Sequence, residues 1–317
     1  MTKPSPQKLI LHCPLCPGDI LTMTVALHSL HDTYPGKYLT DVRTPCPDIW
    51  LNNPYITPIP DDDFEATRID MQYPQINRSN QTPINFISCY TEFLGEKLGV
   101  PLYARSNRPL LYLSDDEKSW MTMLQEHFTN GRKTRFGVIV AGTKCDYTIK
   151  QWPVEYYQEV IDRTLGVVQW VQIGEANANH NHTRLERCIS LLGETTHRML
   201  HRLVYHSSIG IGPVTYLMHI CAAFEKPYVY LAGGREPITF VNYPKMHTLH
   251  TMGALPCCRD NACWRSRVVP LGDKDAKDGS LCEHPVLGLK VPVAKCMAMI
   301  EPGEVVGIVK RTLGAAV

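Results

Sequence analysis

The sequence predicts an α/β protein with two parallel-sheet domains facing a cleft. Three observations carry this prediction. Short apolar strands alternate with helix-period segments in two successive blocks, the pattern that builds parallel sheets with crossover helices. The chain has 317 residues, a length suited to two domains of roughly 100–200 residues each. Its residues are 44% hydrophobic and 20% charged, which supplies apolar material for two cores and too little charge for a disordered chain. With 32 Lys+Arg against 31 Asp+Glu, the formal net charge is +1. Global electrostatics therefore give no reason to expect a nucleic-acid partner.

In chain order, "KLILHC" is a short apolar strand and "PLCPGD" a turn. Residues 20–31 form a helix-period segment with Leu21, Val25, Leu27 and Leu30 as apolar positions. "KYLTDVR" reads as a second strand. A Pro/Asn/Asp-rich stretch covers residues 44–63, followed by "TRIDMQY" and a helix over about residues 84–98. That helix ends at "LGVP", where Gly lies past the last turn and Pro beyond it. Around "HFTNGRKTR", residues 127–135, polar and basic residues interrupt the pattern, so the boundary is placed there, between domains 1–130 and 131–317. The second block opens with strand "FGVIVAG". It continues with a helix over 153–165, strand "VVQWVQI", a helix after Thr195, strand "SSIGIG", a helix from about Thr215 and strand "PYVYLAG". Between Cys257 and Cys296 the rhythm lapses and five of the 12 Cys crowd together; the chain closes with a helix, "PGEVVGIVKRTLG".

Residues 207–224 have the length and uncharged composition of a membrane span. Gly210, Gly212, Pro213 and His219 within them favour a strand, a turn and a helix instead, so no membrane span is expected. Met1 to Gln7 are polar and Pro-punctuated, unlike a signal peptide. The thiols are therefore expected to be reduced and the protein cytoplasmic.

Four places can carry chemistry. Gly18-Asp19 follow the first strand, where ligands bind in doubly wound sheets: Gly18 would admit a substrate to the backbone and Asp19 could accept a hydroxyl proton. The competing reading of Asp19 is a helix N-cap. In "AGTKCDYTIKQWP", Thr143 offers a hydroxyl at a strand end and Lys150 an ammonium for a phosphate, against the plainer reading of a solvated lysine. Glu175 follows "VVQWVQI", where an acid can accept ribose hydroxyls; otherwise it is a loop glutamate. In "GIGPVTYLMH", the amides of Val214, Thr215 and Tyr216 open a helix and suit an anion, with His219 one turn on, either at the site or in the core.

Taken in order, these pieces resemble glycosyltransferase family 9, the ADP-heptose transferases. The resemblance rests on "GDIL" after the first strand, Thr143 and "KQWP", Glu175 after its strand, and the closing "GPVTYLMHICAAFEKPYVYLAGGREP". It implies a GT-B fold of two Rossmann-like domains, an N-terminal acceptor domain and a C-terminal nucleotide-sugar domain. It also implies Asp19 as general base, Lys150 and the amides at 214–216 on the donor diphosphate, Glu175 on the ribose and Thr195 near the adenine. Transfer would invert the anomeric carbon without a metal at the reaction centre, moving a sugar, heptose, from an ADP-sugar to a hydroxyl on a protein or glycan. Two departures stand out. Lipopolysaccharide heptosyltransferases carry Asp-Ser/Thr-Gly where this chain has Val214-Thr215-Tyr216, and a basic residue in the first loop where this chain has "HCPLCPGD".

The Cys-rich stretch, "PCCRDNACW", "SLCEHP" and "AKCMAMI", resembles the Cys cluster of the autotransporter-heptosyltransferase branch, where four thiolates hold a structural iron. Four sulfurs suit Fe or Zn. One of Cys257 and Cys258 would join Cys263, Cys282 and Cys296; the competing reading is a set of buried thiols. Cys13 and Cys16 have CxxC spacing without thioredoxin-like surroundings. His180 and His182 fall in a polar stretch and are expected to be solvated. Two alternatives stand beside the transferase: a non-catalytic nucleotide-sugar or metal-binding protein on a degenerate GT-B scaffold, and a thiol or metal-handling protein. A homo-oligomer is compatible with either.

Overall fold

The computed structural model describes residues 5–119 and 135–316. These divide into two compact units: residues 5–119 with Thr239–Pro244, and residues 135–238 with 245–316. The interruption at 127–134, where the boundary is expected, lies outside the described residues.

The first unit contains β1 (Gln7–His12), α1 (Pro17–Thr33), β2 (Tyr38–Arg43), β3 (Thr67–Asp70), α2 (Phe86–Leu98) and the short α3 (Asp115–Ser119). Its three-stranded sheet has the order β2-β1-β3, with both pairings parallel. The central strand therefore needs apolar residues on both faces, and Leu9, Ile10 and Leu11 are all buried. Helix α1 is buried along nearly its whole length, from Ile20 to Leu30. Its Thr22, Thr24 and Ser29 hydroxyls donate back to the carbonyls of Asp19, Leu21 and Val25 at 2.6–2.7 Å, which satisfies polar groups that water cannot reach. Thr24 and Ser29 also accept from the backbone amides of Leu110 and Arg105, pinning that segment to the helix. Helix α2 is capped at Asn85, whose side chain accepts from Ile87, and stops at Gly99 in the left-handed conformation (φ +63°), as the "LGVP" signal predicts.

The second unit contains β4 (Phe136–Ile139), β5 (Gly142–Lys144), α4 (Val154–Arg163), β6 (Gln169–Gly174), β7 (His180–His182), β8 (Ile189–Leu192) and α5 (His197–His206). There follow β9 (Ile209–Gly212), α6 (Tyr216–Ala223), β10 (Tyr228–Gly233), β11 (Met246–His250), β12 (Pro285–Val286), β13 (Val293–Ala294), α7 (Lys295–Ala298) and α8 (Pro302–Leu313). Six strands form one sheet in the order β11-β10-β9-β4-β6-β8, with every pairing parallel. The suspected membrane span becomes β9, a turn and α6. No helix among the described residues is long and apolar enough to cross a membrane.

The core of this unit joins the sheet to α4 and α8, and Trp152 anchors it. The indole is fully buried, donates to the carbonyl of Ile300 at 3.1 Å and meets Tyr157 edge to face. The Trp-Pro after Lys150 thus fixes the segment that carries the lysine.

Candidate active-site residues

In a parallel sheet all carboxyl ends lie on one edge, and in the second unit that edge gathers the expected donor residues. Thr143 lies beyond β4, Glu175 directly after β6, Thr195 after β8, and Val214, Thr215 and Tyr216 after β9. The sheet order places these loops along the edge in the sequence β9, β4, β6, β8. With neighbouring strands about 4.8 Å apart, the row spans about 14 Å.

Local chemistry sets each position. Thr143 is 6% exposed, and its hydroxyl has no hydrogen-bond partner among the described residues. The β5–β7 ladder pairs it with Asn181 and brings in a histidine that the sequence reading places in solvent. His182 is instead half-buried: its ring occupies the space that a Cβ at Gly142 or Gly174 would fill, with Nδ1 against both. Burial lowers its pKa to about 4, so the ring is neutral at pH 7. Glu175 is exposed and near enough to His180 to oppose the burial that lowers that imidazole's pKa. Thr195 is half-buried just before α5, whose N-cap is Thr196.

Helix α6 starts after Thr215, and its first turn contains no acidic residue. The bulk of Tyr216 is directed to α5, where its hydroxyl meets His201 Nε2 at 2.5 Å and its ring stands edge-on to His197. His219 is buried, 3% exposed, with a pKa lowered to about 3 by burial first and by the nearby Lys150 second; Glu236 opposes both. It is therefore a neutral imidazole beside the lysine.

Lys150 is not a solvated surface lysine. Its Nζ lies 3.1 Å from Glu236 Oε1, and its side chain is 20% exposed against 5% for the glutamate. The sequence reading did not single out Glu236, which follows β10 on the same edge. Burial pushes its carboxyl up, but Lys150 and Arg235 outweigh this and hold it below the usual carboxylate range.

In the first unit, Gly18 and Asp19 occupy the second and third positions of α1. The helix N-cap is Cys16, so Asp19 does not cap through the position its alternative reading requires. Tyr73 donates to Asp19 Oδ1 at 3.0 Å, and its ring packs edge-on against Phe86 and Tyr90. A cavity of about 730 Å³ opens at the ends of β1 and β2, lined among others by His12, Arg43, Thr44 and Trp50. The Trp50 indole N–H and the Thr44 hydroxyl are buried there without a partner among the described residues. Arg43 is paired with Asp41 and Asp61, and His12 with Asp70.

Two of the five distal thiols, those of Cys258 and Cys296, pack against the end of β10. Cys258 Sγ lies 2.9 Å from where a Gly234 Cβ would be, and Cys296 Sγ 3.4 Å from that of Gly233. Burial raises the pKa of Cys296 to about 12 and of Cys257 to about 11; Cys263 and Cys282 are raised by the same cause. The expected four-cysteine metal site is not seen: no group of three or more His, Cys, Asp or Glu among the described residues is arranged to hold an ion. Neutral thiols gain nothing from converging to ligand distances, whereas a metal needs them as thiolates. The donor set itself, soft sulfur on a segment with little core of its own, suits Fe or Zn.

A family model described as "Glycosyltransferase family 9 (heptosyltransferase)" matches residues 94–262, more than half of the chain. No curated protein sequence matches it. Among solved structures, the chain resembles E. coli ADP-heptose lps heptosyltransferase II with a TM-score of 0.57 at 15% identity, covering 96% of this chain and 98% of that one. It resembles a family 9 glycosyltransferase from Veillonella parvula with a TM-score of 0.61 at 13% identity, covering 97% of each. The iron-containing dodecameric glycosyltransferase TibC from enterotoxigenic E. coli gives a TM-score of 0.62 at 15% identity, over 97% of this chain and 76% of that one. These likenesses establish a shared α/β fold.

Proposed function

The chain belongs to glycosyltransferase family 9, and on that premise we propose that it moves a sugar, heptose, from an ADP-sugar to an acceptor hydroxyl with inversion. One observation carries the donor reading: the order of loops along the carboxyl edge. The α6 N-terminus and Lys150 suit a diphosphate, Glu175 the ribose and Thr195 the base, and the sheet order β9-β4-β6-β8 sets them out in the order in which a nucleoside diphosphate is built. A TibC complex with ADP-D-beta-D-heptose is among the structures of the same fold.

Asp19 takes the acceptor proton as general base, oriented by Tyr73. Positive side chains and helix amides carry the charge of the departing diphosphate, so no metal is needed at the reaction centre. The acceptor, on protein or glycan, occupies the first unit, where the cavity beside β1 offers two donors without a partner among the described residues. Asp19→Asn is expected to lower transfer by about 10²–10⁴-fold while ADP still binds. Undiminished transfer would remove Asp19 from the mechanism, and the absence of any ADP binding by the wild type would remove the donor assignment.

The metal site belongs to the same proposal. Cys258, buried against Gly234, or its neighbour Cys257, which lies near enough to sense Cys263 and Cys282, joins Cys263, Cys282 and Cys296. TibC is iron-containing and dodecameric, and a structural Fe or Zn in a homo-oligomeric cytoplasmic enzyme is the corresponding reading here. Anaerobically purified protein should contain stoichiometric Fe or Zn and melt lower after chelation. Metal-free protein with an unchanged melting temperature would leave only a thiol cluster.

A further inference from the structure

The group that holds Lys150 lies in a part of the chain to which no role has been given. Glu236 is 5% exposed and accepts from three side chains: Lys150 at 3.1 Å, Tyr230 at 3.1 Å on the other oxygen, and Arg235. The Arg235 side chain is 10% exposed. Its guanidinium lies 5.2 Å from the Tyr147 ring centroid and 5.0 Å from that of Trp264, and its Nε donates to the carbonyl of Arg265 at 2.8 Å. Two cations thus share one buried carboxylate, leaving a net charge of +1 at the edge where the anion-binding amides of α6 begin. Lys150 is the more exposed of the two, with its ammonium held from below. A carboxylate buried this deeply is too enclosed to meet a substrate; its reach is through the cations.

The backbone supports this arrangement from the Cys-rich stretch. Cys263 N donates to Gly234 O at 3.2 Å and Trp264 N to Arg235 O at 3.1 Å. The segment that carries the thiols therefore also fixes the loop carrying Arg235 and Glu236.

We infer that Glu236 is a positioning residue for the donor diphosphate, holding Lys150 and Arg235 as a two-cation clamp. This rests on the donor reading above for the nucleotide, but the clamp itself recognises only the diphosphate. Anion binding then depends on where the two cations are held as well as on their charge.

The test is calorimetric titration of the full chain with inorganic diphosphate and, separately, with ADP. Glu236→Gln should weaken both by about tenfold or more, although it makes the site more positive. Glu236→Asp should recover part of the loss. The double variant Lys150→Met/Glu236→Gln should lose less than the two single losses combined, because Glu236 acts partly through Lys150 and partly through Arg235. Should Glu236→Gln lack a cooperative melting transition, Tyr230→Phe, which removes one hydrogen bond to the same carboxylate, takes its place with an expected loss of a few-fold. Unchanged or tighter diphosphate binding in these variants, independent effects of Lys150→Met and Glu236→Gln, or no binding of inorganic diphosphate by the wild type would each overturn the inference. Binding of diphosphate without binding of ADP would leave the clamp standing and defeat only the nucleotide assignment.

Discussion

His219 gives a quantitative test of how the carboxyl edge of the second unit is built. The imidazole is buried beside Lys150 and is held neutral, with a pKa lowered from 6.5 to about 3. In the unfolded chain it titrates at the ordinary value, so between these limits the unfolded state binds the extra proton and stability falls as the pH drops. From pH 7 to pH 5 the loss from this single group is about 2 kcal/mol, taking 1.36 kcal/mol per pKa unit and allowing for the partial protonation already present at pH 7. His182, with a pKa of about 4, imposes a similar loss through the same burial, but it is present in both proteins under comparison and cancels. Urea denaturation of wild type and His219→Gln at both pH values isolates the contribution. The variant should lose about 2 kcal/mol less than the wild type on acidification. An equal loss in the two proteins would show that His219 is solvated or protonated in the native state, and the packing of Lys150, His219 and Glu236 would have to be redrawn.

Other perturbations address separate parts of the molecule. Tyr73→Phe removes only the donor to Asp19 and should lower kcat by about tenfold with the KM for donor unchanged; a change confined to KM would place Tyr73 in binding. Trp152→Ala removes a fully buried indole and should cost about 3–5 kcal/mol of stability, read from denaturant midpoints; a loss under 1 kcal/mol, on the order of a surface change, would refute its anchoring role. Trp50→Phe deletes an indole N–H in the first-unit cavity that has no partner among the described residues and should raise the acceptor KM while donor affinity holds; an unchanged KM would move the acceptor elsewhere.

Legibility in the sequence tracked physical strength. Strands with continuous apolar runs, such as β1, β4 and β10, and helices with firm stops, such as α2, stand where periodicity puts them. The edge strands β8 and β11 were missed because an edge strand of this sheet is only half buried: neither carries an unbroken apolar run. The β5–β7 ladder was missed because three-residue polar strands have no period to detect. Thr143, Glu175 and 214–216 are singled out because each follows a strand that periodicity reveals, whereas Thr195 comes only with the family resemblance, since β8 before it has no detectable period. Glu236 also follows such a strand, yet its partner is 86 residues away in sequence, and only the adjacency of β4, β9 and β10 brings Lys150 to it. The Asp19 environment is similar: Tyr73 and Tyr90 belong to segments whose approach no local pattern announces.

The parallel sheet of the second unit hands each loop to the edge from its own strand, and neighbouring loops are then tied to one another directly: the β5–β7 ladder joins those after β4 and β6, Gly193 N donates to Gly174 O at 2.8 Å, and Lys150 meets Glu236. Lengthening the loop after β8 at Gly193 would therefore also disturb residues 174–176, which Gly193 bonds through Gly174 O and touches at Ala176. The outer loop is as closed to one more carbon at Gly193, against Ala176, as the β10 end is at Gly233 and Gly234, against Met297 and Cys258, so the carboxyl edge must change as a unit.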